Sequence, residues 1–258
     1  MTPLTPVSPP LSAPVNLREL RGIAIEGGRV RPGFALRADD LSYITDHDAR
    51  VLVRDGLSAV IDLRSNVEAR LTGRGPLADL PVTYHHISLL TQEATDAAFG
   101  GTPGAGYRER YVPMYVSLFE GSAPLLVQAL SVIVAAPGSV AFHCSAGKDR
   151  TGVLAAALLL TLGASDDEIC ADYGRTGPNV PAVMERTQPI LGPMMQAMGI
   201  PMDAAALAAA DAGFHPDAMR GTLDALRARH GGDALAPLRR AGLSDDRVAA
   251  LRAKALRG

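Results

Sequence analysis

The chain contains no tryptophan and few other aromatic residues. Phe, Trp and Tyr together make up 4% of its 258 residues, whereas hydrophobic residues make up 47%. The interior is therefore mainly aliphatic, and it is large enough for one large domain or two small ones. Any site whose chemistry requires a tryptophan side chain is excluded.

Cysteine is also scarce, with only Cys144 and Cys170 present. Disulfide frameworks belong to oxidising compartments and use many cysteines in a short chain. We therefore expect no structural disulfide and a reducing compartment, the cytoplasm. We interpret Cys170 as a residue of the core.

Long apolar runs and an excess of charge are absent as well. The longest apolar run starts at Val153 and is interrupted by Thr161 and Gly163, so it falls short of the roughly 20 residues that span a membrane. It predicts a buried helix and no membrane span. The net charge of −2 gives no sign of binding to nucleic acid or to a membrane surface.

The first residues are rich in proline. Residues 1–14 hold five prolines, with no basic start and no continuous apolar stretch. This composition does not fit a signal peptide and favours a disordered or extended arm. No change in composition marks a linker after the arm, so we expect one domain over residues 15–258.

A stretch of reactive and small residues lies just past the middle of the chain. It reads His143, Cys144, Ser145, Ala146, Gly147, Lys148, Asp149, Arg150, Thr151 and Gly152. The short apolar run 139–142 precedes it and predicts a buried strand. The run 153–162, almost purely Ala, Leu and Val, follows it and predicts a helix. The stretch is therefore predicted to join a strand to the start of a helix, where free N–H groups and the helix dipole bind phosphate.

The residue types at this turn indicate nucleophilic chemistry on phosphate. The N–H groups that bind phosphate also stabilise a thiolate at Cys144. Arg150 offers a planar fork that matches two phosphate oxygens. Thr151 can donate its hydroxyl to the sulfur, Gly147 lets the backbone turn its amides inward, and His143 can orient the cysteine. The predicted phosphate-binding set is Cys144, Ser145, Ala146, Gly147, Lys148, Asp149, Arg150 and Thr151.

The pattern H-C-x5-R-S/T-G resembles the signature of the cysteine-dependent protein tyrosine phosphatase family. One alternative is a buried structural cysteine in a glycine-containing turn. Another is a rhodanese-like sulfur carrier, whose cysteine loop is typically one residue shorter. Five residues separate Cys144 from Arg150, and this spacing favours phosphate.

Other segments resemble a bacterial group within the same family, and the resemblance covers residues 15–258. Residues 16–20 are similar to an N-F-R-D-L opening, although Arg21 stands where the group usually has Gly. Residues 62–65 with Glu68 resemble a D-L-R-S-x-x-E segment. Residues 171–173 and 227–251 resemble its segments after the signature.

The resemblance implies hydrolysis of phosphate monoesters in two steps, with no metal and no cofactor. Cys144 attacks phosphorus, Arg150 and the loop amides hold the oxygens, and water then cleaves the phosphocysteine. Many members use an Asp in a W-P-D loop as general acid, but a chain without Trp lacks that motif. In the bacterial group an Asp inside the loop is implicated, which here is Asp149, and Asp62 is the second candidate.

The resemblance also indicates substrates and partners. The expected substrate is a phosphotyrosine protein, with phosphoserine, phosphothreonine and phosphoinositides as further candidates. Ala146-Gly147-Lys148 resembles the loop of phosphoinositide phosphatases, and Lys148 adds a second positive charge beside the phosphate. A phosphate-binding module without turnover is the alternative function, but such a module does not need the thiol.

The predicted fold is α/β, with a central, mostly parallel sheet flanked by helices and a helical C-terminal portion. The predicted elements are a hairpin over 23–30, strands over 34–37, 58–64, 82–89 and 139–142, and helices starting after Thr45, over 107–118, 123–135, 153–162 and 166–175, and after Ser244. Because ligands lie beyond the carboxyl ends of parallel strands, Asp62 and Arg64 are site candidates. The other reading of that pair is a salt-bridged strand end.

Three remaining segments carry weaker signals. Residues 91–106 are rich in Gly, Ala and Thr and fit a surface loop or lid. Residues 184–198 are Met-rich and interrupted by two prolines, which fits a kinked core helix or an adaptable flap. His85 and His86 are adjacent, so they point to opposite faces of a strand and make a poor metal pair.

Overall fold

The computed structural model describes residues 6–89, 107–197 and 213–256, and these residues build a five-stranded sheet. Across the sheet the strands follow the order β1 (Arg18–Glu19), β4 (Ala35–Ala38), β7 (Ser139–His143), β5 (Leu57–Asp62) and β6 (Thr83–His86). The edge strand β1 is antiparallel to β4, and the other neighbouring pairs are parallel. The predicted mostly parallel sheet is confirmed.

A small hairpin and a series of helices complete the described fold. The hairpin pairs β2 (Ala24–Ile25) with β3 (Gly28–Arg29), as predicted. The helices are α1 (Asp46–Arg54), α2 (Asn66–Thr72), α3 (Tyr107–Gly121), α4 (Ala123–Ala135), α5 (Asp149–Leu162), α6 (Asp166–Gly174), α7 (Val180–Ala197), α8 (Ala218–Arg229), α9 (Ala236–Arg240) and α10 (Asp245–Leu256). Short 3-10 turns lie at Gly75–Asp79 and Gly177–Asn179.

Both faces of the sheet are covered, which explains why the middle of its central strand, residues 140–142, is apolar. Every residue of β7 is buried. Val140 and Phe142 contribute to the larger apolar cluster with α3 to α6, whereas Ala141 contributes to a smaller cluster with α1. This alternation is the two-residue period of a strand. A strand buried on both faces has no solvent-facing positions for polar side chains, so its polar residues, Ser139 and His143, stand only at its two ends.

Several elements differ in extent from their predicted bounds. α5 begins at Asp149, inside the loop motif, because the first turn of the helix is made by polar residues that the apolar pattern does not include. The strand predicted over 82–89 is limited to Thr83–His86. α7 runs as one helix through Pro189 and Pro193, which agrees with a helix as the first of the two predictions for this segment. The loop 91–106 and Met198 lie outside the described residues.

The described part of the proline-rich arm, residues 6–14, lies along the surface without regular secondary structure. The N–H of Val7 donates to the carbonyl of Leu71 at 2.8 Å, and the N–H of Ser12 donates to the carbonyl of Tyr43 at 2.9 Å. Nε of Arg186 donates to Oγ of Ser12 at 2.8 Å. These contacts tie an extended arm to α2 and α7.

The described helices are too short or too polar to cross a membrane singly. No single helix there combines the length and the apolar character that a span requires. Only the segments Arg110–Gly121 and Ala123–Ala135 meet the requirement together, and the chain bends by 70° between them.

Gly75 packs against the backbone next to the sheet and has a positive φ of 60°. A Cβ atom at Gly75 would lie 1.9 Å from the carbonyl oxygen of Ser42. This contact fixes the turn after α2, whose Gly73 carbonyl accepts a hydrogen bond from Nη2 of Arg64 at 2.8 Å. The glycine is therefore required by both its backbone conformation and its close packing.

We predict that Gly75→Ala is much more destabilising than Gly231→Ala. Gly231 has a nearly identical φ of 62°, but a Cβ atom added there would meet no atom within 4 Å. Gly231→Ala therefore measures only the cost of placing a side chain on a left-handed backbone conformation, about 1–2 kcal/mol. Gly75→Ala adds an overpacking cost of about 1–3 kcal/mol. Denaturant unfolding of both variants measures the difference, and equal free energies of unfolding would contradict the packing argument.

Candidate active site

The strand–loop–helix turn places a cysteine sulfur at the start of a helix. β7 ends at His143, Cys144 follows, and α5 begins at Asp149. Cys144 is 1% exposed, and Oγ1 of Thr151 donates to its Sγ at 3.2 Å. This is the hydroxyl contact that the sequence predicted. A hydroxyl donor and the positive end of α5 are the surroundings in which proteins bind an anion.

The carbonyl groups of the loop are held away from its interior. The carbonyl of Ser145 accepts the N–H of Asp40 at 3.1 Å. Nδ2 of Asn16 donates to the carbonyls of Ala146 and Gly147 at 3.4 and 3.2 Å. Because the C=O and the following N–H of a trans peptide point in opposite directions, the next amides turn inward. Successive inward amides form a concave anion-binding nest.

Gly147 allows this loop to lie directly on the end of β4. Its φ is 66°, and a Cβ atom there would lie 2.5 Å from the carbonyl oxygen of Ala38 and 2.7 Å from the nitrogen of Asp39. No L-amino acid with a side chain fits these limits without a shift of the backbone.

A buried cluster of charges supports the loop from behind. Nη2 of Arg37 donates to the carbonyl of Gly147 at 2.9 Å, and its Nη1 pairs with Asp172 at 2.5 Å. Nε of Arg18 pairs with the other oxygen of Asp172 at 3.0 Å. Burial opposes ionisation of Asp172, but Arg37 and Arg18 lower its pKa. Two guanidinium groups and one carboxylate leave a net positive charge beneath the phosphate loop.

Glu68 connects the loop to α2. Its Oε2 accepts Nη1 of Arg150 at 2.6 Å, and its Oε1 accepts Nη2 of Arg150 at 2.8 Å. Oε1 also accepts Oγ of Ser145 at 2.5 Å, and Oε2 accepts the N–H of Ser65 at 2.7 Å. The last contact completes a capping box at the start of α2. One carboxylate therefore orients the arginine of the signature and fixes the helix that carries the carboxylate.

The electrostatics of this pair favour the charged forms. Burial alone would raise the pKa of Glu68, but Arg150 and the surrounding donors lower it to about 2. Burial alone would lower the pKa of Arg150, but Glu68 and the charge of Cys144 raise it above its ordinary value. A guanidinium has five N–H donors, so a pairing that uses two leaves Nε–H and the neighbouring Nη–H, which point the same way, as a fork for phosphate oxygens.

Asp62 and Arg64 form the salt-bridged strand end that was one of their two sequence interpretations. Both side chains are buried, and Nη2 of Arg64 lies 2.6 Å from Oδ2 of Asp62. Arg64 also pairs with Asp40 at 3.0 Å, and Tyr84 donates to Asp62 at 2.7 Å. Burial would raise the pKa of Asp62, but His143 and Arg64 hold it well below its usual range. The carboxyl group is therefore ionised and enclosed.

Asp149 is placed differently, at the first turn of α5 with 29% of its side chain exposed. Tyr115 donates its hydroxyl to Oδ1 of Asp149 at 2.6 Å. Nζ of Lys148 lies 3.8 Å from the same oxygen and 4.9 Å from the centre of the Tyr111 ring. Burial opposes the charged form of Lys148, but Asp149 and Tyr111 raise its pKa. A partly exposed carboxyl group and a buried ammonium group thus stand together at the end of the loop.

His143 is enclosed behind the cysteine. Its Nδ1 accepts the N–H of Leu41 at 3.4 Å and lies 3.4 Å from the carbonyl oxygen of Cys144. Burial lowers the pKa of His143. The ring fills the space behind the loop and contacts the backbone of both Leu41 and Cys144.

The other histidines and the second cysteine have structural surroundings. Within the three described ranges, no group of three or more His, Cys, Asp or Glu side chains is arranged to hold a metal. His86 instead contacts the carbonyl oxygen of Arg64 at 2.8 Å. Cys170 is a free, half-buried thiol that packs against the larger apolar cluster, and burial raises its pKa.

Sequence reasoning did not assign roles to Asn16, Arg37, Asp172 and Tyr115. Asn16 and Asp172 stand in segments that resemble the bacterial group, so a signal existed without a mechanism attached. Arg37 and Tyr115 reach the loop only through tertiary packing, and their local sequence gives no sign of it.

Comparison with known proteins agrees with the geometry of this site. A model of the "Tyrosine phosphatase family" matches residues 9–257. The triple specificity protein phosphatase PtpB of Mycobacterium tuberculosis is 29% identical over 190 residues, covering 64% of this chain and 69% of that protein. A tyrosine-protein phosphatase of Nostoc commune is 34% identical over 139 residues, covering 54% of this chain and 46% of that protein.

One solved structure, TpbA of P. aeruginosa in complex with phosphotyrosine, covers 70% of this chain and 86% of its own, with 17% identity and a TM-score of 0.34. The family model spans nearly all of the sequence, and its match includes the whole cysteine loop, so the chain belongs to the tyrosine phosphatase family.

Proposed function

We propose that this chain hydrolyses the phosphate monoester of phosphotyrosine in proteins, through a cysteinyl-phosphate on Cys144. The observation that carries the proposal is the sulfur at the start of α5, which accepts the Thr151 hydroxyl inside a loop with outward carbonyls. A phosphate-binding module would need the amides and Arg150 but not a thiolate. The names of the relatives, which are tyrosine and triple specificity phosphatases, support the same class of reaction.

In the first step the Cys144 thiolate attacks phosphorus and the bond to the leaving oxygen breaks. The inward amides and the unused N–H groups of Arg150 that face the loop stabilise the oxygens of the transferred group. Because phosphoryl transfer has a loose transition state, positioning and electrostatics supply most of the acceleration. The leaving oxygen takes a proton from a general acid.

In the second step water attacks the phosphorus of the phosphocysteine, and the bond between phosphorus and sulfur breaks. The general acid, now deprotonated, accepts a proton from that water. Inorganic phosphate leaves, and Thr151 stabilises the thiolate that returns to Cys144. The cycle is balanced without a metal or cofactor.

We assign the acid role to Asp149. A general acid must reach the substrate and carry a proton. Asp149 is partly exposed beside the loop, whereas Asp62 is enclosed and held ionised by Arg64. Asp62 then contributes by fixing Arg64 and the end of β5.

Phosphoinositide head groups are a second candidate substrate class. Lys148 supports this candidate because it belongs to the loop itself and its buried ammonium group lies near Asp149 and Tyr111. An additional positive charge there suits a substrate with more than one phosphate. Phosphoserine and phosphothreonine are further candidate substrates, and the mycobacterial relative is named a triple specificity protein phosphatase.

The reaction requires a reduced Cys144, because a thiolate is readily oxidised. We therefore propose that the chain acts in the reducing cytoplasm, with residues 15–258 as its catalytic domain.

Cys144→Ser is expected to abolish turnover of phosphotyrosine peptides while orthovanadate still binds, because the amides and Arg150 remain. Cys170→Ser is the matched control, since it removes the other thiol, and it should keep wild-type turnover. Steady-state kinetics and vanadate titration measure the two properties. Wild-type turnover in Cys144→Ser would contradict the mechanism.

Asp149→Asn should reduce kcat/KM about 10²–10⁴-fold for aryl phosphates with poor leaving groups. The loss should be much smaller for good leaving groups, which need little protonation. This parameter reports the steps up to departure of the leaving group, so the second step does not mask the effect. Asp62→Asn should lower kcat/KM by a similar factor for all of these substrates. If Asp62→Asn showed the leaving-group dependence instead, the two roles would be reversed.

Lys148→Met should lower the hydrolysis of phosphoinositides more than that of singly phosphorylated tyrosine peptides. The tyrosine peptide serves as the internal control, because loss of Lys148 leaves the amides and Arg150 in place. Release of inorganic phosphate from both substrates measures the ratio. The second candidate substrate class fails if wild-type protein releases no phosphate from phosphoinositides.

A further inference from the structure

A relay of buried phenols leads from the interior to the proposed acid. The hydroxyl of Tyr173 in α6 lies 2.7 Å from the hydroxyl of Tyr115 in α3, which donates to Oδ1 of Asp149 in α5 at 2.6 Å. Tyr115 is 0% exposed and Tyr173 is 2% exposed. Neither hydroxyl is needed for packing alone, since phenylalanine offers the same ring.

The direction of both hydrogen bonds follows when Asp149 is a carboxylate, which can only accept. A phenol carries a single hydrogen. Because Tyr115 gives its hydrogen to Asp149, Tyr173 must be the donor between the two phenols. Burial and the charge of Asp149 raise the pKa of both tyrosines above the ordinary value. Both groups therefore remain protonated donors.

We propose that Tyr115 is a positioning residue for proton transfer, holding the carboxyl group of Asp149 and stabilising the carboxylate that forms when the proton leaves. The proposal rests on the proposed function, because it needs Asp149 to be the acid. Tyr173 supports Tyr115 by donating to its oxygen.

The stabilisation is larger in the transition state than before the reaction. Asp149 is neutral while it holds the proton and becomes negative as the proton moves to the leaving oxygen. Hydrogen bonds to charged acceptors are roughly twice as strong as neutral ones, so the contact from Tyr115 strengthens during the step. Only interactions that strengthen in this way raise the rate. A second donor behind Tyr115 polarises its hydroxyl further.

Other charged and titratable groups also act on Asp149 and remain in the variants. Lys148 lies 3.8 Å away on the adjacent residue, and Arg150 and Cys144 belong to the same loop. Tyr111 and Arg110 on α3 act on Lys148. Replacing one phenol by phenylalanine leaves these groups in place, so a change in proton transfer is attributable to the missing hydroxyl.

The test compares Tyr115→Phe, Tyr173→Phe and Tyr43→Phe on aryl phosphates with graded leaving groups. Tyr43 is the matched control because its ring is also fully buried, yet its hydroxyl has no hydrogen-bond partner among the described residues. Tyr115→Phe should lower kcat/KM for poor leaving groups roughly ten- to hundredfold, with little effect on good ones. Tyr173→Phe should give a smaller loss of the same kind, and Tyr43→Phe should give none.

The pH profile supplies a second readout. The acid must be protonated, so the alkaline limb of kcat/KM reports its ionisation. Loss of a donor to the carboxylate disfavours ionisation, and Tyr115→Phe should therefore move this limb to higher pH. A purely structural role for the phenol would lower the whole profile without moving the limb.

A double mutant separates failure of this proposal from failure of the acid assignment. Adding Tyr115→Phe to Asp149→Asn should cause no further leaving-group effect, because the two groups act as one unit. If Asp149→Asn alone shows no leaving-group dependence, the proposed function is wrong about the acid. If Asp149→Asn shows it but Tyr115→Phe matches Tyr43→Phe in both readouts, Tyr115 has no role in proton transfer.

Discussion

The site depends on the carboxylate of Glu68. This one group accepts both Nη atoms of Arg150, the hydroxyl of Ser145 and the N–H of Ser65. It is buried, so each of these contacts compensates part of the cost of removing its charge from water. A fixed guanidinium needs no reorientation when phosphate arrives, which is the condition for strong electrostatic stabilisation of a transition state.

The opposite side of the loop depends on residues far away in the sequence. Asn16 is separated from Ala146 by 130 positions, yet its amide holds the loop carbonyls outward. Arg37 adds a donor from β4, and Asp172 of α6 keeps the guanidinium in place. The anion-binding loop takes its shape only when β4, α2 and α6 have packed around it. The contacts that complete the fold are therefore also those that shape the site.

The sequence predicted the features that depend on local pattern. The apolar run before Cys144 and the helix formers after Gly152 are sufficient for the strand, the loop and the helix. The contact between Thr151 and Cys144 joins the two ends of this short loop. By contrast, the pairing of Tyr115 with Asp149 joins two helices, and hydrophobic periodicity identifies a buried tyrosine without indicating what its hydroxyl meets. From the sequence, Asp62 could be either a site residue or part of a salt-bridged strand end. The difference depends on whether the Arg64 side chain folds back onto it, which the local pattern does not show.

The most direct measurement of pre-organisation is the affinity for orthovanadate of wild-type protein, Glu68→Gln and Glu185→Gln. Glutamine keeps the size of the side chain but removes the charge that fixes Arg150, and the exposed Glu185 provides the same chemical change away from the site. Since hydrogen bonds to charged groups contribute about 1.5–3 kcal/mol, Glu68→Gln should weaken vanadate binding roughly ten- to hundredfold, with far-UV circular dichroism unchanged. Glu185→Gln should bind as the wild type does. Equal vanadate affinity in folded Glu68→Gln and wild-type protein would show that Arg150 is positioned without Glu68.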